Sequence, residues 1–229
     1  MRLILWALFC GGWAFKGSLM SRFAIHDLPV RRFFFLRHAQ SQGNVRGVFH
    51  SNTADWALTE MGHGQARRAA PVLESLPIQA VLSSPLTRVQ QTLAPYLEGA
   101  GAHLAHARDE RLIERDFAGV EGMKIPLDRN FFIEDPAGVE PTDAFIARIV
   151  EGLSAGLVQE DMLLGAHAGV MHGLTLGLDI DMDPWAGPYN NATPTIIEKR
   201  DGRWTLEYWD FEAQIWTAPP PATRDWSRP

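Results

Sequence analysis

Short apolar runs alternate with longer amphipathic stretches along most of this chain, and the alternation reads as strand, helix, strand, helix. Val30 to Leu36 (VRRFFFL), Gln79 to Ser83 (QAVLS) and Met162 to Ala166 (MLLGA) are the strand candidates. Nearly continuous apolar runs of this kind suit a parallel sheet buried on both faces. Helical patterns fill the gaps. Thr59 is placed to cap a helix running to about Ser75, and Ser84 followed by Pro85 reads as N-cap and first position of a helix reaching about Glu98. A further helix is predicted from about Thr142 to Leu157. Pro194 to Arg200 and Arg203 to Trp209 read as two strands joined at Asp201-Gly202, a strong hairpin turn signal. The pattern predicts an α/β fold, a three-layer α/β/α sandwich with a mostly parallel central sheet and a short lid insertion. Ligands of such folds sit beyond the carboxyl ends of the strands.

Length and composition narrow this picture. A chain of 229 residues with 46% hydrophobic and 21% charged residues builds a full core as a single folding unit. Its net charge of -6 argues against nucleic acid as a partner, so any anion it binds needs a local pocket of well-placed arginines. The lone Cys10 allows neither an internal disulfide nor a thiolate metal site, which points to a reducing, cytoplasmic compartment. Leu3 to Phe15 forms an apolar run behind Arg2, shorter than the roughly 20 residues that span a bilayer. No convincing small-x-small cleavage site follows before Lys16, and Met20 offers an alternative start, so stable membrane association is not expected, with export or membrane targeting as the minor alternative. The domain expectation is an N-terminal extension over 1–29, a main domain over 30–210 with its lid at about 115–141, and a Pro-rich tail over 211–229.

The chemistry gathers at predicted strand ends. FFFLRHAQSQGN sets Arg37 and His38 just beyond one apolar strand, and MLLGAHAGVMHG sets His167 beyond another, with a helix starting near Gly169. LSSPLTRVQQT sets Arg88 one turn into its helix at the same edge. Imidazole can attack phosphorus, guanidinium can clamp phosphoryl oxygens, and a helix N-terminus adds backbone donors. Other polar residues take plainer readings. Arg31 and Arg32 are expected at a solvated edge, His103 and His106 in a surface loop, and His172 in packing. No zinc site is expected, because no carboxylate or thiolate stands at a ligand spacing from the His103 and His106 pair.

These elements together resemble the histidine phosphatase superfamily, the group that includes phosphoglycerate mutases. Its Leu-Arg-His-Gly signature with following Ser and Asn is similar to Leu36, Arg37, His38, Ala39, Ser41 and Asn44. Leu58-Thr59 with Gly62 and Gln65-Ala66, Ser83-Ser84-Pro85-Leu86 with Arg88 and Gln91-Thr92, and His167 extend the likeness over roughly residues 30 to 210. The resemblance implies that His38 is the nucleophile and that Arg37, Arg88 and His167 hold the transferring phosphoryl group, helped by Asn44 and the backbone at Ala168. It implies that Glu114, ahead of Val120-Glu121-Gly122, gives a proton to the leaving oxygen and later activates water, with Asp116 and Glu121 as the alternatives. Ala39, Ala168 and Val120 depart from the family's Gly, Gly and Trp.

The implied activity is that of a phosphatase acting on a small phosphate monoester through a phosphohistidine, with neither metal nor organic cofactor. A mutase of the phosphoglycerate type is the alternative, disfavoured by Glu114-Arg115-Asp116-Phe117-Ala118 and the short insertion; a non-catalytic binding protein on the same fold is the other. Trp56, Phe117, Phe131, Phe132, Trp185 and Tyr189 fall in segments expected to border the pocket mouth, where aromatic side chains either grip substrate or pack. Sugar, nucleotide-derived and peptide phosphates all remain open as substrates.

Overall fold

The strand Arg32–Arg37, β1, sends Phe33 and Phe35 to one face of a sheet and Phe34 and Leu36 to the other, and all four are buried. This follows from the two-residue period of a strand, and it explains why the run is apolar throughout. The computed structural model describes residues 28–51, 55–125, 135–180 and 189–217. The expected extension up to residue 27 and the tail beyond residue 217 lie outside the described residues.

The short helix α1 (Gln42–Arg46) follows β1, then α2 (Glu60–Glu74), β2 (Ala80–Ser83), α3 (Thr87–Leu97) and β3 (Ala105–Arg108). After two 3-10 turns come α4 (Thr142–Gly156), β4 (Met162–Ala166), α5 (Ala168–Gly177), β5 (Pro194–Arg200), β6 (Arg203–Asp210) and β7 (Ile215–Trp216). The sheet order is β3-β2-β4-β1-β5-β6-β7. β3, β2, β4 and β1 are mutually parallel, while β5, β6 and β7 pair antiparallel. One face packs on α4 and α5 through Phe145, Ile149, Leu153 and Val170, the other on α2 and α3 through Ala69, Leu73, Val89 and Leu93. The three-layer sandwich is therefore present, with seven strands in a mixed sheet that is parallel at its centre. A Cβ at Gly165 on β4 would meet Leu93 Cδ1 at 2.8 Å, so glycine there lets α3 lie close against the sheet.

Several local expectations are corrected. Arg32 is buried rather than at a solvated edge, because Asp161 Oδ1 and Oδ2 accept from its Nε and Nη2 at 2.6 and 2.8 Å. Arg31 is exposed, as expected. His106 lies on strand β3 instead of in a surface loop, and its Nε2 is 2.8 Å from Ser83 Oγ; that strand is largely solvent-facing, so no apolar run announces it. His103 is exposed. Thr59 caps α2 as expected, accepting from the Gly62 amide. Ser84 does not cap α3: the helix begins two residues later, behind Leu86, and the Asp55 carboxylate accepts from the Thr87 amide at 2.9 Å. Among the described residues no helix is long and apolar enough to cross a membrane.

Candidate active site

Because β1, β2 and β4 run parallel and neighbour one another, their carboxyl ends deliver Arg37, Ser83 and Ala166 to a single edge. The backbone just beyond β1 is fixed peptide by peptide. The His38 amide donates to the Ala166 carbonyl at 2.9 Å, the Ala39 amide to Thr92 Oγ1 at 2.8 Å and the Gln40 amide to Gln65 Oε1 at 2.8 Å. Asn191 Nδ2 donates to the His38 carbonyl at 2.9 Å. Neither Ala39 nor Ala168 is among the residues with positive φ, so the departures from glycine cost no backbone strain.

His38 is buried, with Nδ1 2.8 Å from the Ala39 carbonyl. A carbonyl only accepts, so in the neutral ring Nδ1 carries the proton and Nε2 keeps its lone pair. Burial, then the charges of Arg88 and Arg37, hold this imidazole well below the usual histidine range. His167, the N-cap residue of α5, is fully buried, with its ring centroid 5.3 Å from that of His38. Burial, followed by Arg88 and His38, depresses its pKa in the same way. Its Nε2 meets Ser84 Oγ at 2.9 Å, and its buried Nδ1 has no partner among the described residues.

Arg88 is completely buried. Its Nη2 donates to the Ser51 carbonyl at 3.1 Å, Nη1 stands 3.9 Å from Asp55 Oδ1, and neither Nε nor Nη1 has a hydrogen-bond partner among the described residues. Arg37 donates from Nη1 to the Tyr189 carbonyl, and its buried Nε is likewise unpartnered. Burial pushes Arg37 down to about 10, with Glu114 opposing, so it remains a cation at neutral pH. Buried guanidinium N–H groups left without acceptors are costly unless an anion meets them.

Glu114 is buried. Its Oε1 accepts from the Arg115 amide at 3.0 Å and its Oε2 from the Gly169 amide at 3.2 Å, in the first turn of α5 behind His167. Burial raises its pKa against the pull of those two amides and of Arg88 and Arg37. A raised pKa extends the protonated form to higher pH, the direction that suits a general acid. The alternatives hang on Ser51, the residue whose carbonyl accepts from Arg88. Glu121 accepts from Ser51 Oγ at 2.8 Å, and Asp116 accepts from the Ala118 amide at 2.9 Å, so both are committed to the loop around Ser51.

Asn44 closes a capping box with Ser41, and its Oδ1 accepts from the Ser41 amide at 3.0 Å, leaving Nδ2 as the donor it can offer. The Gly169 amide, one residue beyond Ala168, serves Glu114. Phe117 is buried against Phe49, Trp56 lies under the Arg46 guanidinium at 4.2 Å, and the Tyr189 hydroxyl is 3.0 Å from Thr175 Oγ1. Phe131, Phe132 and Trp185 lie outside the described residues. The sequence reading missed Asn191 and His50 as neighbours of the nucleophile and Ser84 as the partner of His167; the His50 ring is 6.4 Å from His38 and its Nε2 3.3 Å from Ser41 Oγ. Thr92 and Gln65 were named only as motif positions, and they prove to be backbone anchors.

The sequence model of the histidine phosphatase superfamily (branch 1) matches residues 33–212. The chain belongs to this superfamily. It is similar to an agropine synthesis reductase of Rhizobium rhizogenes, with 33% identity over 189 residues that make up 78% of this chain and 42% of that protein. The chain thus spans less than half the length of that relative. A 2,3-bisphosphoglycerate-dependent phosphoglycerate mutase of Rhizobium etli is 29% identical over 183 residues, 70% of this chain and 87% of that one. Among solved structures, a mycobacterial glucosyl-3-phosphoglycerate phosphatase superposes with a TM-score of 0.61 at 27% identity, covering 78% of this chain and 98% of the other. Phosphatases and mutases of the histidine phosphatase superfamily therefore both stand among its relatives.

Proposed function

We propose that this chain is a phosphatase that hydrolyses a small phosphate monoester through a phosphohistidine on His38. The observation that carries the reading is the fully buried Arg88 guanidinium, whose Nε and Nη1 donors lack acceptors among the described residues at the edge where His38 keeps Nε2 unprotonated. In the first step His38 Nε2 bonds to phosphorus as the ester P–O bond breaks, and the Glu114 carboxyl passes its proton to the leaving oxygen. In the second, the Glu114 carboxylate takes a proton from water, the water oxygen bonds to phosphorus and the N–P bond breaks, releasing phosphate. Arg37, Arg88, His167 Nδ1 and Asn44 Nδ2 neutralise the charge spread over the equatorial oxygens, which is the main demand of a loose phosphoryl-transfer transition state.

Water is the acceptor in this reading instead of a second phosphorylated hydroxyl. Arg115, the cation next to Glu114, supports this: it is buried, pairs with Asp135 at 2.7 Å and donates to the Glu140 carbonyl, so it adds no further anion clamp. The reaction as drawn needs neither metal nor cofactor, and the catalytic unit is taken as residues 30–210 with a lid at about 115–141, acting in the cytoplasm on a small molecule. The test is turnover of para-nitrophenyl phosphate by the full chain, with quench trapping of an acid-labile, base-stable adduct. The adduct is expected in the wild type and absent in His38→Ala. Full activity of His38→Ala, or no turnover of any phosphate ester, overturns the reading.

A further inference from the structure

The Arg148 guanidinium presents five N–H groups, and each has an acceptor. Nε donates to Glu140 Oε1 at 2.7 Å, and Nη2 to Glu140 Oε2 at 2.8 Å and to the Glu114 carbonyl at 2.9 Å. Nη1 donates to the carbonyls of Arg111 at 2.7 Å and Ile113 at 2.9 Å. Glu140 Oε2 also accepts from the Asp116 amide at 3.0 Å. One ion pair between α4 and the segment before it therefore grips the chain on both sides of Glu114.

We infer that the Arg148–Glu140 pair is the positioning device for the Glu114 carboxyl. The segment needs one. Residues 113–117 have no regular ladder to hold them, since they lie between two 3-10 turns. Among the described residues, the Glu114 side chain itself is held by two amide donors, those of Arg115 and Gly169. A planar fork with five donors fixes the directions of three carbonyls, those of Arg111, Ile113 and Glu114, in a way that a single ammonium cannot. A shift of about 1 Å in an acid that must reach a leaving oxygen is enough to lower the rate by about 10²-fold. Neither Arg148 nor Glu140 touches the groups assigned to phosphate, so the pair acts through Glu114 alone. This inference rests on the proposed role of Glu114 as the acid.

The test uses Arg148→Lys, which keeps the charge and loses the fork, and Glu140→Gln, which keeps the shape and loses the charge, each checked by thermal melting. In the pre-steady-state burst, transfer from an alkyl phosphate is expected to fall by about 10-fold to 100-fold, while transfer from para-nitrophenyl phosphate, whose leaving group needs little protonation, falls much less. The pH at which the alkyl burst declines on the alkaline side should shift as well. Equal losses on both esters, with an unmoved pH profile, would mean a merely structural role and overturn the proposal. A second readout does not depend on activity: the Gly169 and Arg115 amides that donate to Glu114 should exchange faster in both variants. Unchanged exchange in folded variants overturns the positioning role, whereas loss of all turnover in the wild type counts only against the proposed reaction.

Discussion

The rings of His38 and His167 stand with centroids 5.3 Å apart and planes inclined at 60°, both buried and both flanked by Arg88. Two imidazolium ions at that spacing beside buried guanidinium groups would repel strongly, so the pair is built to be neutral. For a base, a lowered pKa means that the active, unprotonated form survives to lower pH. The burst of phosphoryl transfer should therefore stay level as pH falls through 6.5, the ordinary histidine value, and decline only well below it. An acid limb centred near 6.5 in stopped-flow traces would contradict this assignment of His38.

Ser84 Oγ is the sole partner that the described residues give to His167 Nε2. If Ser84 donates to Nε2, the proton of the neutral ring resides on Nδ1, the atom left without a partner and suited to donate to a phosphoryl oxygen. Ser84→Ala frees the tautomer. Orthovanadate, which mimics pentacoordinate phosphorus, should then bind about 10-fold more weakly, roughly the value of one hydrogen bond to a charged group. Competition assays measure this directly, and an unchanged inhibition constant would remove Ser84 from the site.

Which parts of this structure were legible beforehand depends on whether local pattern or tertiary contact decides them. β1, β2, β4 and the β5–β6 hairpin announce themselves because full burial demands apolar runs and the turn demands Asp201-Gly202, whose residues both take positive φ. The chemistry at the strand ends was readable for the same reason, since a parallel sheet sends Arg37, His38 and His167 to one edge. β3 was not, because AHAR faces solvent and has no apolar period. Arg32 looked like a surface charge because nothing near it in sequence reveals Asp161, which lies 129 positions away. Ser84 was a sound local N-cap, and its diversion to His167 became visible only once two distant strands were placed side by side.

The Arg32–Asp161 pair is largely shielded from water, with side chains 9% and 11% exposed. Removing Asp161 leaves the buried Arg32 guanidinium with Glu198 Oε1, 3.9 Å from its Nη1, as a more distant counterion, so the loss is expected at the low end of the about 3–5 kcal/mol typical of breaking a buried pair. Asp161→Asn is the clean variant, since asparagine also tolerates the φ of 62° found there. Urea denaturation should show a loss of that order. The pair sits at the opposite edge of the sheet from His38, so the burst rate of the folded fraction should be unaltered.

His172 is buried, and burial, aided by the charge of Arg115, pushes its pKa down to about 4. Above pH 6.5 the ring is neutral in both folded and unfolded chains and has no effect on the balance. Below pH 6.5 the unfolded chain binds a proton that the folded chain refuses, so stability falls as pH is lowered toward 4. At pH 5 this one ring should have cost about 2 kcal/mol. His38, His167 and His50 are lowered likewise and add to this slope, while Glu114, whose folded pKa is raised, opposes it, so the total slope mixes several groups. The decisive measurement is the His172 imidazole resonance, which should remain that of a neutral ring at pH 5; titration near 6.5 would refute the shift.

Glu114 is distinguished from Asp116 and Glu121 by where its oxygens go. It reaches the first turn of α5 behind His167, while the other two are engaged around Ser51. The proposed role as acid makes a prediction about leaving groups. An alkoxide departs poorly without a proton, whereas para-nitrophenolate is stable enough to leave almost unaided. Glu114→Gln preserves the shape and removes the acid. The burst of transfer from an alkyl phosphate should fall by about 10²-fold or more, and the burst from para-nitrophenyl phosphate by much less. Steady turnover should slow for both, because hydrolysis of the phosphohistidine uses the same carboxylate to activate water, so only the burst separates the two steps. The raised pKa adds a second signature: the acid is lost as pH rises through a value above that of an ordinary glutamate, and the alkyl burst should decline on that alkaline limb in the wild type. In Glu114→Gln the limb should vanish along with the leaving-group dependence. If Asp116→Asn abolishes the dependence instead, or if both esters lose equally in the burst of Glu114→Gln, the proton comes from another group.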